Sequence, residues 1–218
     1  KDYPEIYKEV KDCQSVKSQR SNNTMVGFMK RLKVFFSWCI EEGVISESPL
    51  AGFEMPTEKY GTPIYITKEE LHTIYNCDHS DAPHLDRQRD IFVFQCCIGC
   101  RVGDLVRLTK ADVINGAIEY IASKTIEENQ KTILVPLNKT ALEILEKYKD
   151  YEGPKLLPFI TQPKYNDAIK EIFTRAGITR NVTYLNPLTE REEKVPINTI
   201  ASSHMARRTF VGNLYKQV

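Results

Sequence analysis

Apolar residues recur along this chain with two different periods. Between residues 24 and 42, Met25, Phe28, Met29, Leu32, Phe35, Phe36, Cys39 and Ile40 fall largely three and four apart, forming one stripe of a helix that Gly43 ends. Residues 85–98 carry Ile91, Phe92, Val93, Phe94, Cys96, Cys97 and Ile98 almost without interruption. That is the pattern of a helix buried on most sides, and Gly99 supplies its stop. Thr67-Lys68-Glu69-Glu70 reads as a capping box, Asn138 as the cap of a helix to residue 148, and Thr161 as the cap of another ending at Gly177. Elsewhere the period drops to two. Asn115-Gly116 is a hairpin turn joining 112–114 to 117–122, with 132–135 as a third strand, and the stretches flanking Asn186-Pro187 pair as a second hairpin. The expected class is mainly α with a small antiparallel β-sheet.

These elements group into two modules. Residues 1–58 form a helical module, 59–66 a linker stiffened on its approach by Pro56 and internally by Pro63, and 67–218 a second, larger module. At 218 residues and 41 % hydrophobic the chain can bury a core, and its formal charge of +1 is no sign of a nucleic-acid binder. Distribution changes that picture. Residues 13–40 contain no acid but include Lys17, Arg20, Lys30, Arg31 and Lys33, which could follow a phosphate backbone or simply form the solvated face of a helix. Six cysteines, three of them crowded at 96, 97 and 100, suit reduced thiols better than a disulfide framework. Cys97-x-x-Cys100 could be half a zinc site with Cys77, His79 or His84, but a second closely spaced ligand pair is absent. No signal peptide, apolar membrane run or internal repeat is present, so a cytoplasmic protein without a membrane partner is expected.

Two short segments carry candidate chemistry. In Ser202-Ser203-His204-Met205-Ala206-Arg207-Arg208, a serine can cap a helix whose first turn places His204 and Arg207 on one face, and no acid occurs from Lys194 to the end. Such a start can hold a phosphate, or can be an ordinary basic helix end. In Gly99-Cys100-Arg101-Val102-Gly103-Asp104-Leu105, Arg101 projects from a tight corner anchored by the buried helix. The plainer alternative is a surface ion pair between Arg101 and Asp104.

In order and context these motifs resemble the tyrosine recombinase, or phage integrase, family. Gly99, Arg101, Asp104 and Leu105 match its first motif, His204 and Arg207 its His-x-x-Arg, and Lys124, in the 118–125 arm of the hairpin, its intervening lysine. The wording around His204 looks closest to integrases of mobile elements. The resemblance implies a helical core-binding module, ending in the 24–42 helix, plus a catalytic domain, with the two closing on a duplex as a clamp. It implies a site-specific recombinase that breaks and rejoins DNA by transesterification through a 3'-phosphotyrosine. Arg101 and Arg207 would stabilise the charge on the phosphoryl oxygens and Lys124 would protonate the leaving 5'-oxygen, with Lys131 its rival across the hairpin. His204 would hydrogen-bond the phosphate and help to move the nucleophile's proton. Asp104 would orient Arg101 or a neighbouring group. Arg208 and the basic residues 17, 20, 30, 31 and 33 would contact DNA. No metal or other cofactor is required.

The family's nucleophilic tyrosine follows the His-x-x-Arg helix by several elements, and no residue here matches it. Tyr215 lies eleven residues after His204, a rise of about 16 Å along a helix. It is expected to pack with Phe210, Val211 and Leu214 instead. The chain therefore reads as a fragment, inactive alone, of a protein that assembles as a homo-tetramer on paired double-stranded sites. Two other classes compete: a non-catalytic DNA-binding accessory protein of the same fold, and a metal-dependent phosphoryl-transfer enzyme. The second would need a carboxylate cluster, whereas Glu127, Glu128 and Glu190 to Glu193 are scattered on turns.

Overall fold

The computed structural model describes residues 19–123 and 131–215. They divide into two compact units: the described residues through Gly61 together with Leu185–Glu193, and the described residues of Thr62–Tyr184 and from Lys194 onward. The division after Gly61 falls inside the stretch expected as a linker. The tip of the second hairpin groups with the first unit.

In the first unit, α1 (Asn22–Glu41) begins where the Ser21 side chain accepts a hydrogen bond from the Thr24 N–H. Its apolar stripe does not form a core. Val26 and Cys39 are buried, but Met25, Phe28, Leu32, Phe35 and Trp38 are each 42–52 % exposed. The physical reason is plain: among the described residues of this unit there is no second helix to cover them. The start of α1 is held instead by the chain around Lys59, where Asn23 Nδ2 donates to the Lys59 carbonyl (2.7 Å) and the Lys59 N–H donates to Asn23 Oδ1 (3.0 Å). Lys59 in turn pairs with Glu190 at 2.7 Å.

The second unit is built around α3 (Pro83–Ile98), against which pack α2 (Lys68–Tyr75), α5 (Lys139–Lys147), α6 (Gln162–Arg175) and α8 (Ser203–Tyr215). The expected capping box forms, with Thr67 and Glu70 bonded reciprocally. The continuous apolar run of α3 is what lets four helices surround it: Ile91, Phe92, Phe94 and Ile98 are buried, and the Phe92 ring meets the Phe173 ring edge-on at 5.4 Å. Polar residues are buried on this helix too. Asp90 accepts hydrogen bonds from Arg89 (2.8 Å), Lys147 (2.7 Å) and the Tyr148 hydroxyl (2.9 Å), joining α3 to the end of α5. These bonds offset the cost of taking a carboxyl group out of water.

After α3 come the single turn α4 (Val102–Leu105), a 3-10 turn, and the antiparallel sheet β1 (Val113–Ile114), β2 (Ala117–Ile121) and β3 (Thr132–Pro136). Asn115 and Gly116 both adopt positive φ, 49° and 74°, which matches the twist of a two-residue hairpin turn. The register pairs Ile118 with Val135 and Ile121 with Thr132. The second hairpin, β4 (Asn181–Leu185) and β5 (Glu192–Pro196), leads through the short α7 (Ile197–Ile200) into α8.

Candidate anion-binding site

The site begins at the end of α3. Gly99 caps that helix in the left-handed region, φ +66°, and a β-carbon there would lie 2.2 Å from Cδ1 of Phe210 on α8. Only glycine permits this close crossing. Two residues on, Arg101 occupies the N-cap position of α4. On α8, Met205, Ala206 and Thr209 are buried against the core, which turns His204 and Arg207 outward on the same side as the corner. Arg207 Nη1 donates to the Gly99 carbonyl at 2.7 Å, so the second motif is fastened to the first through its glycine.

Arg101, His204 and Arg207 line one open cavity of about 400 Å³, with Asp104, Ser123 and Gln162 also in its wall. Segments around residues 101, 123, 162 and 204 thus meet at one place. The first residues of α6 and α8 are in the lining, so the positive end of each helix dipole lies at its wall. The field is felt by His204: desolvation and then the cations Arg208, Arg207 and Arg101 hold its imidazole below the usual histidine range. An arriving anion would raise its proton affinity.

The acid in the wall is committed elsewhere. Asp104 is 3 % exposed. Its Oδ1 accepts from the Ser123 N–H (3.0 Å), the Ser123 hydroxyl and Arg107 Nη2 (2.9 Å). Burial alone would raise its carboxyl, but the Ser123 hydroxyl, the Ser123 N–H and Arg107 outweigh it and hold the group below its ordinary value. Asp104 therefore orients a neighbouring group, the chain at the end of β2, and it pairs with Arg107 rather than Arg101. The Arg101 guanidinium has no ion pair among the described residues, which leaves it available to a ligand. Burial, with the Asp104 charge, pushes the Cys100 thiol up to about 12. It is a packed, inert group.

Sequence reasoning missed how α6 fastens both arms of this site. The buried Tyr165 hydroxyl donates to Gln95 Oε1 (3.1 Å), and Gln95 Nε2 donates to the Cys100 carbonyl (3.2 Å), immediately before Arg101. The next residue, Asn166, accepts the Ser203 N–H through Oδ1 (3.0 Å), immediately before His204. The start of α8 is thus bonded by a side chain from another helix, where the sequence pointed to Ser202 or Ser203 as the cap. Gln95 sits inside the apolar run of α3, and no local pattern marks it.

Of the other expected residues, Lys124 and Lys17 lie outside the described residues; Ser123, which precedes Lys124, is in the cavity wall. Lys131 is exposed, next to the Thr132 end of β3. Arg20, Arg31 and Lys33 are exposed on or beside α1, whereas Lys30 pairs with Glu58 at 2.8 Å. Arg208 is exposed beside His204 on α8. Tyr215 is 84 % exposed, so the expected packing against Phe210, Val211 and Leu214 does not occur; Val211 and Leu214 are themselves about half exposed on the same helix. No described tyrosine lines the cavity. Among the described residues there is no group of three His, Cys, Asp or Glu arranged to hold a metal ion.

The profile of the Phage integrase family matches residues 65–218. Tyrosine recombinase XerD of Listeria monocytogenes serotype 4b (strain F2365) is 29 % identical over 162 residues, which cover 74 % of this chain and 52 % of that protein. This chain therefore spans about half the length of that relative. Among solved structures, lambda integrase bound to DNA matches with a TM-score of 0.64 at 18 % identity, over 90 % of this chain and 66 % of that one. A lambda integrase tetramer bound to a Holliday junction matches with a TM-score of 0.58 at 18 % identity, over 84 % and 51 %. At these identities the structural likeness speaks for the fold.

Proposed function

Because this chain belongs to the phage integrase family of tyrosine recombinases, we propose that it supplies the phosphate-binding part of an enzyme that cuts and rejoins DNA by transesterification through a 3'-phosphotyrosine. One observation carries this reading. Arg101 faces the same cavity as His204 and Arg207, more than a hundred residues further along the chain, while the one carboxylate among the described residues of its wall is already bonded to Ser123 and Arg107. A cavity of that character suits a phosphodiester.

The proposed chemistry needs these groups together with a tyrosine and Lys124. A tyrosine hydroxyl attacks the phosphorus, the P–O5' bond breaks, and the equatorial oxygens gain charge. The planar forks of Arg101 and Arg207 oppose that charge, and losing one such fixed donor typically costs about 100-fold or more in rate. His204 hydrogen-bonds the phosphate and takes up the tyrosine's proton as the new P–O bond forms. Lys124 is proposed to give its proton to the departing 5'-oxygen. Support comes from Ser123, which borders the cavity and is tied to Asp104, because consecutive Cα atoms are only about 3.8 Å apart. The second transesterification reverses these roles and rejoins the strand. The nucleophilic tyrosine is supplied from outside the described residues.

The proposed partner is double-stranded DNA, with a homo-tetramer on paired sites as the working assembly and the cytoplasm as the place of action. The solved lambda integrase complexes with DNA and with a Holliday junction support the first two. Among the described residues no helix is long and apolar enough to cross a membrane. Division of the chain into a DNA-binding module at 1–58 and a catalytic module at 67–218 completes the proposal, with Lys17, Arg20, Lys30, Arg31, Lys33 and Arg208 on the DNA.

The test is strand cleavage by the full-length protein on a nicked suicide duplex. Arg101→Ala and Arg207→Ala are expected to abolish the covalent complex while keeping most duplex binding, and the parent is expected to work in EDTA. Normal covalent complex in either variant would overturn the roles assigned. Duplex binding by the parent with no covalent complex would favour the accessory-protein reading, and activity lost to EDTA the metal-dependent one.

A further inference from the structure

The cavity has a wall that the two arginine motifs do not supply. Gln162, the first residue of α6, borders it together with Arg101, His204 and Arg207. We infer that Gln162 is a further substrate-contacting residue, its carboxamide N–H donating to a nonbridging oxygen of the phosphate held by the two arginines. This inference rests on the reading of the cavity as a phosphodiester site.

Three observations support it. First, α6 is not free to drift from the other two walls. Its Tyr165 reaches the Cys100 carbonyl through Gln95, and its Asn166 holds the Ser203 N–H, so one helix is pinned next to Arg101 and next to His204. Gln95 and Tyr165 are wholly buried and Ser203 is 3 % exposed, which makes these ties resistant to competition from water. Gln162 lies three and four residues before Tyr165 and Asn166, about one helical turn, and is therefore placed by the same bonds. Second, the Gln162 carboxamide is exposed and has no hydrogen-bond partner among the described residues, in a wall whose one described acid, Asp104, is bonded through Oδ1 to Ser123 and Arg107. Third, the residue type fits the field. Desolvation and the cations Arg208, Arg207 and Arg101 already depress His204. Another cation there would depress it further and weaken its part in proton transfer, whereas a neutral amide adds a donor without adding charge.

The test uses this chain with inorganic sulfate, a tetrahedral dianion that does not titrate near neutrality. The His204 ring resonances are followed by NMR at fixed ionic strength, with chloride as the balancing anion. The parent is expected to show saturable sulfate binding that raises the His204 pKa, and Arg101→Ala and Arg207→Ala are expected to lose it. Gln162→Ala should weaken sulfate about 10-fold, the effect of one hydrogen bond to a charged acceptor at its lower end. Gln162→Glu should weaken it more than about 10-fold and raise the His204 pKa in sulfate-free buffer, because a carboxylate then faces the imidazole. Lys164→Ala, on the same helix but lining a different cavity with His84, should stay within about twofold of the parent. If the parent binds no sulfate, or both arginine variants bind as it does, the phosphate-site reading fails and this inference with it. If the arginine variants behave as expected while Gln162→Ala and Gln162→Glu bind like the parent, the site stands and Gln162 has no part in it.

Discussion

Gly99→Ala tests whether the crossing of α3 and α8 sets the geometry of the site. The new methyl meets Phe210 at three ring atoms, Cδ1 at 2.2 Å, Cγ at 2.6 Å and Cε1 at 2.9 Å. Ordinary carbon contacts lie near 3.5–4.0 Å. Rotating the ring about its own axis leaves Cγ in place, so relief requires a new Phe210 rotamer or a shift of α8. Holding alanine at φ +66° adds about 1–2 kcal/mol of backbone strain, and overpacking adds about 1–3 kcal/mol. Alanine also restricts the unfolded chain, which offsets about 0.4–1 kcal/mol. The expected net loss is about 2–4 kcal/mol. Arg207 sits one turn before Phe210 and bonds the carbonyl of the substituted residue, so the Arg207 side-chain N–H signal should move as well. Urea denaturation followed by circular dichroism gives the stability, and Phe210→Leu, alone and combined with Gly99→Ala, completes a double-mutant cycle. The leucine should recover the overpacking share and leave the backbone share. Stability within about 0.5 kcal/mol of the parent, or a cycle without coupling, would refute the argument.

Two other substitutions probe buried carboxylates. Asp104→Asn should cost about 1–2 kcal/mol at pH 7, a modest loss because the Arg107 partner is half exposed and water replaces it. Asp104 is held below its unfolded pKa, so its stabilisation is present above that value and is lost as pH falls through the folded one. The gap between parent and variant should therefore narrow in urea titrations as pH drops below about 4, and a constant gap would contradict the assignment. Asp90→Ala leaves Arg89, Lys147 and Tyr148 without their shared acceptor. It should cost about 3–5 kcal/mol and lower Tm by about 6 °C or more; a fall under about 3 °C would show the network to be dispensable.

Much of the secondary structure was legible because it depends on neighbours in sequence. Gly99 as a left-handed stop, Thr67 with Glu70 as a reciprocal cap, and Asn115-Gly116 as a positive-φ turn each need only a few adjacent residues to act. The two arginine motifs were legible as chemistry for a similar reason. A basic helix start with no nearby acid is a property of one segment. The partner of Asp104 was less accessible: Arg101 and Arg107 are equally spaced from it, on opposite sides, and only the approach of β2 brought Ser123 to fix the carboxylate toward Arg107. The exposure of the α1 stripe was hidden as well, since a sequence pattern reports which face would be buried and not whether anything arrives to bury it.

The residues themselves determined where helices stop, which faces are apolar and which side chains carry charge, because those depend on backbone sterics and hydrophobic period over a few turns. Only the folded chain decided that Tyr165, Gln95 and Asn166 hold both arginine arms to one helix, and that Gln162 comes to rest beside them. Hydrogen bonds between residues 70 and 37 positions apart leave no trace in local pattern. They form because packing around α3 excludes water and brings the buried Tyr165, Gln95 and Ser203 groups within reach of one another's partners.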